Sequence, residues 1–80
     1  MAYIIILHIT GEEPVLGEVE ELPLSGDVTV RVTHPRRVDG KDLPYIAENV
    51  TTVIWPVSRI NFIEILPSRE EEEIIGFVRE

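Results

Sequence analysis

Two strand-forming runs near the C-terminal end of the chain are joined by a break of only a few residues around Pro56. The stretch from Val50 to Leu66 is rich in Val, Ile, Thr, Phe and Trp, which suit a pleated, half-buried surface. Proline cannot donate a hydrogen bond to a strand ladder, so we expect Pro56 at a strand end or a bend. Two apolar strands that meet at such a corner predict the closure of a small barrel.

The length of the chain limits the core that can support this barrel. Its 80 residues allow one domain, and a chain of this size buries only about 60–65% of its unfolded surface. The sequence contains no cysteine, which excludes disulfides and thiolate metal sites. Oligomerisation is the usual remaining source of stability for so small a domain.

Three further strands are predicted upstream of the break. Tyr3 to Thr10 is apolar at every odd position, and Val15 to Leu22 contains Gly17 in its interior. An interior glycine weakens a strand unless it serves a bend or a close backbone approach. Val28 to Thr33 alternates valine with polar residues, which is typical of a half-buried strand. His34 to Asn49, with two prolines and an Asp-Gly pair, is predicted to be a long irregular connection.

The last thirteen residues differ in character from the rest of the chain. Ser68 and Glu71 have the spacing of a capping box, and the glutamates that follow suit the first turn of a helix. We therefore predict a barrel over residues 1–67 and a short acidic helix or tail over residues 68–80.

The order of these elements resembles the Sm-like (Lsm) family, of which the chain looks like a divergent member over roughly residues 3–66. In that family a glycine in the second strand is followed by alternating apolar residues. The same pattern is found here at Gly17, Val19, Leu22, Val28 and Val30. The family's second motif, a strand, a tight break and another short apolar strand, corresponds here to residues 53–63. An isolated SH3-like barrel has a similar strand count and remains the rival fold.

The resemblance implies a mainly β fold: a five-stranded, strongly bent, SH3-like barrel. It also implies a closed homo-oligomeric ring in which the fourth strand of one subunit pairs with the fifth strand of its neighbour. The interface candidates are the apolar residues of these two strands: Val53, Ile54, Trp55, Ile60, Phe62 and Ile63. Trp55 could stack on a base, but the core or an interface is the more common place for a tryptophan in so small a barrel.

The residues that differ from the family pattern fall on its RNA-binding positions. The family's turn has Asp, a base-stacking residue and Asn where this chain has Pro23, Ser25 and Asp27. Pro56-Val57 replaces the Arg-Gly pair of the second motif. The apolar pattern of the family is therefore kept, whereas its uridine pocket is not.

Basic residues concentrate between Arg31 and Lys41, which hold four of the seven positive charges. Such a patch could contact phosphate, particularly if a ring repeats it, but these residues could equally pair with neighbouring carboxylates. The formal net charge of -8 favours the second interpretation. The candidates for nucleic-acid binding are Ser25, Asp27, Arg36, Arg37, Lys41 and Arg59.

Catalytic motifs are not found in the sequence. The chain has two histidines and no nucleophile-elbow, Walker or HExxH pattern, and His8 is interpreted as a strand residue with a satisfied or partly exposed ring. We therefore expect no enzyme activity, no cofactor and no metal. The apolar N-terminal run lacks a preceding positive charge and is too short to span a bilayer, which predicts a cytoplasmic protein without a membrane partner.

The sequence as a whole predicts a non-enzymatic ring that acts as a binding platform or scaffold. A protein partner is the first prediction, because the positions that would read uridine have changed. Single-stranded RNA or DNA, bound with weak sequence preference, is the alternative.

Overall fold

The computed structural model describes residues 2–67, which form one antiparallel sheet of five strands. The fold is mainly β, as predicted, and the helix predicted at residues 68–80 lies outside the described residues. A single turn of 3-10 helix, Val57–Arg59, joins the last two strands. The strands are β1 (Tyr3–Ile9), β2 (Val15–Val19), β3 (Thr29–Arg37), β4 (Thr52–Pro56) and β5 (Ile60–Ile65).

The connection between β4 and β5 forces the sheet to curl. In the spatial order β4-β3-β2-β1-β5 these two strands are the opposite edges. A flat sheet would separate them by four strand spacings, roughly 19 Å. The chain from Pro56 to Ile60 reaches at most about 14 Å even when fully extended, and a 3-10 turn is shorter. The sheet must therefore bend into a half-barrel.

Backbone hydrogen bonds fix the 3-10 turn to both sides of the curled sheet. Thr10 N donates to Arg59 O at 2.9 Å, just beyond the end of β1, and Val57 N donates to Val28 O at 2.9 Å, just before β3. The turn thus lies at one end of the half-barrel, where it holds the two edges near each other. The corner that the sequence predicted around Pro56 is confirmed.

The core lies on the concave face of the sheet and is built mainly by its three central strands. Alternate residues of β1, β2 and β3 point inward, and Leu43 from the long connection is buried with them. The two edge strands contribute side chains that are only half-buried against this core. The buried core residues are Ile5, Leu7, Ile9, Val15, Val19, Val30, Val32 and Leu43.

Gly17 lies at a close contact between β2 and β3. It is buried, and the pairing of the two strands shifts register between Leu16 and Glu18. A Cβ atom at this position would overlap Cγ1 of Val32 and lie 3.3 Å from the carbonyl oxygen of Thr33. The structure therefore shows a close contact beside an irregularity of the ladder at this glycine, whereas the sequence favoured a bend of the second strand.

The predicted bounds of two strands were wrong. β3 does not end before His34 but continues to Arg37. His34, with a positive φ of 51°, and Pro35 lie in the irregular part of the β2–β3 ladder, and regular pairing with β2 resumes at Arg36. A proline without a donor is tolerated at such a bulge. β2 ends at Val19 rather than Leu22, because its partner β1 begins at Tyr3, which pairs with Val19.

Candidate functional site

The two edges of the sheet carry exposed apolar side chains on the same face. Ile54 of β4 pairs with Arg31 and Phe62 of β5 pairs with His8, and all four lie on the convex face, opposite the core. Ile54 and Phe62 are each 56% exposed. Soluble domains usually blunt a sheet edge or cover it, because its free backbone groups can pair with another chain.

The remaining interface candidates lie at the edges but face inward. Val53, Trp55, Ile60 and Ile63 are half-buried, and Trp55, Ile60 and Ile63 pack against the buried core. Their side chains therefore belong to the barrel interior, whereas the backbone of the same strands forms the free edges. Of the six predicted interface residues, the structure leaves Ile54 and Phe62 with large exposed side chains.

His8 connects the edge strand β5 to the neighbouring strand β1. Its ring stacks on Phe62 with a centroid separation of 4.0 Å and an interplanar angle of 16°. Its Nε2 atom donates to Oε1 of Glu64 at 2.7 Å, since a carboxylate oxygen can only accept. Glu64 is the one acidic residue of β5, and its carboxylate is thus bonded to His8. The contact agrees with the interpretation of His8 as a strand residue whose ring has a hydrogen-bond partner.

The turn at residues 23–27, which holds the nucleic-acid candidates Ser25 and Asp27, is stabilised by its own hydrogen bonds. Oδ2 of Asp27 accepts from Leu24 N at 2.8 Å, and Asp27 N donates to Leu24 O at 3.0 Å. Ser25 is exposed at the tip of this turn. Beside it is an open cavity of about 390 Å³, whose lining includes Glu20, Leu22, Leu24, Asp27, Thr29 and Arg31. Its carboxylates make it a poor place for a phosphate group.

The basic residues at the end of β3 are paired with carboxylates. Nη2 of Arg36 lies 3.2 Å from Oε2 of Glu18, and its Nη1 donates to the carbonyl of His34 at 2.6 Å. The second arginine, Arg37, lies 3.5 Å from Glu13 and 3.3 Å from Asp39. The two guanidinium groups thus have different partners, and the pairing expected from the net charge is shown for Arg36 and Arg37.

The other two basic candidates do not join these arginines in one patch. Lys41 is exposed, and its backbone N–H donates to Oδ1 of Asp39 at 3.0 Å. Arg59 lies in the 3-10 turn at one end of the half-barrel, beside Ile9 and Glu12. The predicted nucleic-acid candidates are therefore spread over the turn 23–27, the end of β3, the loop that follows it and the 3-10 turn.

A small cavity at the 3-10 end of the half-barrel was not predicted. It has a volume of about 170 Å³ and is lined by Ile9, Glu12, Tyr45, Trp55, Pro56 and Arg59. Partial burial raises the pKa of the Tyr45 hydroxyl, and the negative charges of Glu12 and Glu13 raise it further. The sequence gives only a weak signal for this site, because its two aromatic residues are ten positions apart in different elements.

No family model, curated protein or solved structure matches the chain. Residues 2–67 contain no helix long and apolar enough to cross a bilayer. The same residues contain no group of three or more histidine, aspartate or glutamate side chains placed to hold a metal ion. The geometry of the sheet and its surfaces therefore carries the functional conclusion.

Proposed function

We propose that the chain is a non-enzymatic, Sm-like barrel that assembles into a closed homo-oligomeric ring and serves as a platform for a protein partner. The observation that carries this proposal is that the two edge strands of one curled sheet, β4 and β5, both carry exposed apolar side chains. An edge of one subunit can pair with the other edge of the next subunit. Repetition of this head-to-tail contact closes a ring if the rotation between subunits allows it.

The composition of the edge strands supports pairing. Neither β4 nor β5 contains a lysine, the residue that most often blunts a free edge, and Pro56 lies at the end of β4 rather than within it. The single charge of β5, on Glu64, already accepts a hydrogen bond from His8. Within residues 2–67 little at these edges opposes the approach of a second strand.

The faces of the two strands also agree with this contact. Ile54 and Phe62 both lie on the convex face, so pairing of β4 with a neighbour's β5 places them on one continuous surface. Each side chain would then lose exposed apolar area, which stabilises the contact by about 25 cal/mol for each Å² buried.

A cross-linking experiment tests which edges meet. The natural chain has no cysteine, so Ile54→Cys and Phe62→Cys introduce unique thiols. With a short bis-maleimide, the doubly substituted chain is expected to give a ladder of covalent oligomers, while each single variant stays uncoupled. Dimers from either single variant would show that like edges meet, which contradicts a head-to-tail ring.

A protein partner is favoured over nucleic acid by the charges of the surface. Arg36 and Arg37 are engaged by carboxylates, and the net charge is -8. Binding to phosphate must first break these ion pairs and then overcome the repulsion of the remaining acidic groups. Ser25 and Asp27 offer neither a stacking face nor an amide in the turn where the family reads a base.

Oligo-uridine is therefore expected to bind weakly at physiological salt. Base stacking contributes about 1–3 kcal/mol per base, and this contribution is missing at each subunit. Residual binding should depend on Arg36, Arg37 and Lys41, fall steeply as salt rises and show little preference for uridine over adenine. Fluorescence anisotropy with labelled oligo-uridine and oligo-adenine, at several salt concentrations, measures the affinity, its salt dependence and the base preference. Substitution of Arg36, Arg37 and Lys41 measures the contribution of these residues. Tight, uridine-selective and salt-resistant binding would contradict the preference for a protein partner.

A further inference from the structure

The small cavity at the 3-10 end of the half-barrel combines three features that suit a positively charged organic group. Its lining includes two aromatic side chains, Tyr45 and Trp55, one carboxylate, Glu12, and an aliphatic side chain, Ile9. Aromatic faces attract cations through the negative potential above the ring, and tryptophan is the strongest of them. A carboxylate beside such faces adds a direct charge interaction.

The size of the cavity fits a trimethylammonium group. Its volume is about 170 Å³, and a protein cavity of roughly 150 Å³ is large enough to take benzene. A trimethylammonium group is of similar size to benzene. Because it carries no N–H donor, it needs an apolar and aromatic lining rather than hydrogen-bond acceptors.

The charge balance at this cavity has contributions of both signs. Arg59 also lines it, and a guanidinium group opposes a cationic ligand. The Tyr45 hydroxyl nevertheless lies in a negative field: its pKa is raised by burial and by the charges of Glu12 and Glu13. The carboxylates of Glu12 and Glu13 thus act on the Tyr45 side chain, and their negative charge favours a cation beside it.

We infer that the cavity formed by Tyr45, Trp55, Glu12 and Ile9 binds a quaternary ammonium group. The group can come from a free amine such as choline or from a trimethylated lysine side chain, because both present the same trimethylammonium surface. Trp55 lies on the edge strand β4, but its side chain packs inward against the core, whereas Ile54 and Phe62, the side chains proposed for assembly, lie on the convex face. Binding is therefore measured together with the oligomeric state.

The fluorescence of Trp55 provides the readout, because it is the only tryptophan in the chain. The whole protein is titrated with choline chloride and, separately, with 3,3-dimethylbutan-1-ol, the neutral carbon analogue of choline, at constant ionic strength. Choline is expected to change the emission saturably. The neutral analogue is expected to bind about 2- to 30-fold more weakly, the range that a cation–π interaction provides. Equal responses to the two compounds, or no response to choline, would overturn the inference.

Charge variants at the cavity should act in opposite directions. Glu12→Gln is expected to weaken choline binding several-fold, whereas Arg59→Gln is expected to strengthen it, because a like charge is removed. Glu21→Gln, which changes an exposed carboxylate that does not line the cavity, is the matched control. If inorganic phosphate binds saturably and Arg59→Gln abolishes that binding, the cavity is an anion site and the inference is wrong.

Variants of Tyr45 separate the aromatic face from the hydroxyl. Tyr45→Phe keeps the ring and should retain choline binding, while Tyr45→Leu removes it and should weaken binding several-fold. Tyr45 is 52% exposed, so both variants are expected to fold, which circular dichroism checks. Equal binding by Tyr45→Leu and the natural chain would contradict a role for this ring.

The source of the ammonium group is then distinguished by a second ligand. N-acetyl-trimethyllysine amide is compared with choline under the same conditions. Tighter binding of the lysine derivative assigns the site to a modified protein side chain, and tighter binding of choline assigns it to a free amine. Light scattering in the same samples shows whether the assembly changes, so failure of this inference is distinguishable from failure of the proposed ring.

Discussion

Lysine in place of Ile54 is expected to convert the assembled protein to monomers, and Phe62→Lys is expected to do the same. Both side chains are 56% exposed in the single chain and lie on the edge strands proposed to pair. A central interface position that is truncated or charged costs about 2 kcal/mol or more, roughly 30-fold in the affinity of each contact. In a homo-oligomer the substitution affects every contact at once. Light scattering over a range of protein concentrations measures the result.

Val38→Lys is the matched control for these variants. Val38 is 52% exposed, close to the exposure of Ile54 and Phe62, but it follows β3 rather than lying on an edge strand. This variant adds the same charge and should leave the assembly unchanged. If Ile54→Lys and Phe62→Lys also leave the mass unchanged, the subunits meet elsewhere.

Mixing the two edge variants gives a sharper result. The Ile54→Lys chain keeps an intact β5 edge, and the Phe62→Lys chain keeps an intact β4 edge. The intact β5 edge of the first chain can therefore pair with the intact β4 edge of the second. The mixture is expected to contain a dimer with one chain of each kind. An isologous contact between like edges predicts no such complementation.

Gly17→Val is expected to lower the free energy of unfolding by about 1–3 kcal/mol, the range for overpacking a filled core. A Cβ atom at this position already overlaps Cγ1 of Val32, and valine adds two further carbons at this close contact between β2 and β3. Domains have roughly 0.05–0.15 kcal/mol of stability per residue, so this loss is a large share of the total for a chain of this size.

Urea denaturation at a fixed protein concentration measures the effect of Gly17→Val, because assembly makes stability depend on concentration. Gly26→Val is the control: it adds the same side chain in a turn where no atom lies within 4 Å of an added Cβ. The control midpoint is expected to change little. If the urea midpoint of Gly17→Val is also unchanged, β2 and β3 can move apart at this position without loss of stability.

The sequence was informative where local pattern and geometry agree. Alternation around Val30 and Val32 predicted a half-buried strand, and both valines are buried in the core. The short break at Pro56 predicted a corner, and the structure has a 3-10 turn there. The strand follows from the period-2 alternation of its side chains, and the corner follows from the lack of a backbone N–H in proline. Both signals can be recognised from residues that are adjacent in the sequence.

Other features depend on contacts that sequence spacing does not reveal. The continuation of β3 through His34 depends on a positive φ and on a bulge opposite β2, although Pro35 reads as the start of a loop. The pairing of Arg36 with Glu18 depends on cross-strand register. The cavity lined by Tyr45 and Trp55 depends on the fold bringing a residue of the long connection close to the edge strand β4.

The mass of the protein in solution tests the central claim, a closed homo-oligomeric ring, most directly. The chain is freed of nucleic acid with nuclease and measured by light scattering up to high micromolar concentration, then measured again after oligo-uridine is added back. We predict one discrete mass, an integer multiple of the chain mass, that persists on dilution into the low micromolar range and is unchanged by the oligonucleotide. A monomer at high micromolar concentration, or an assembly that forms only when nucleic acid is present, would contradict the proposed ring.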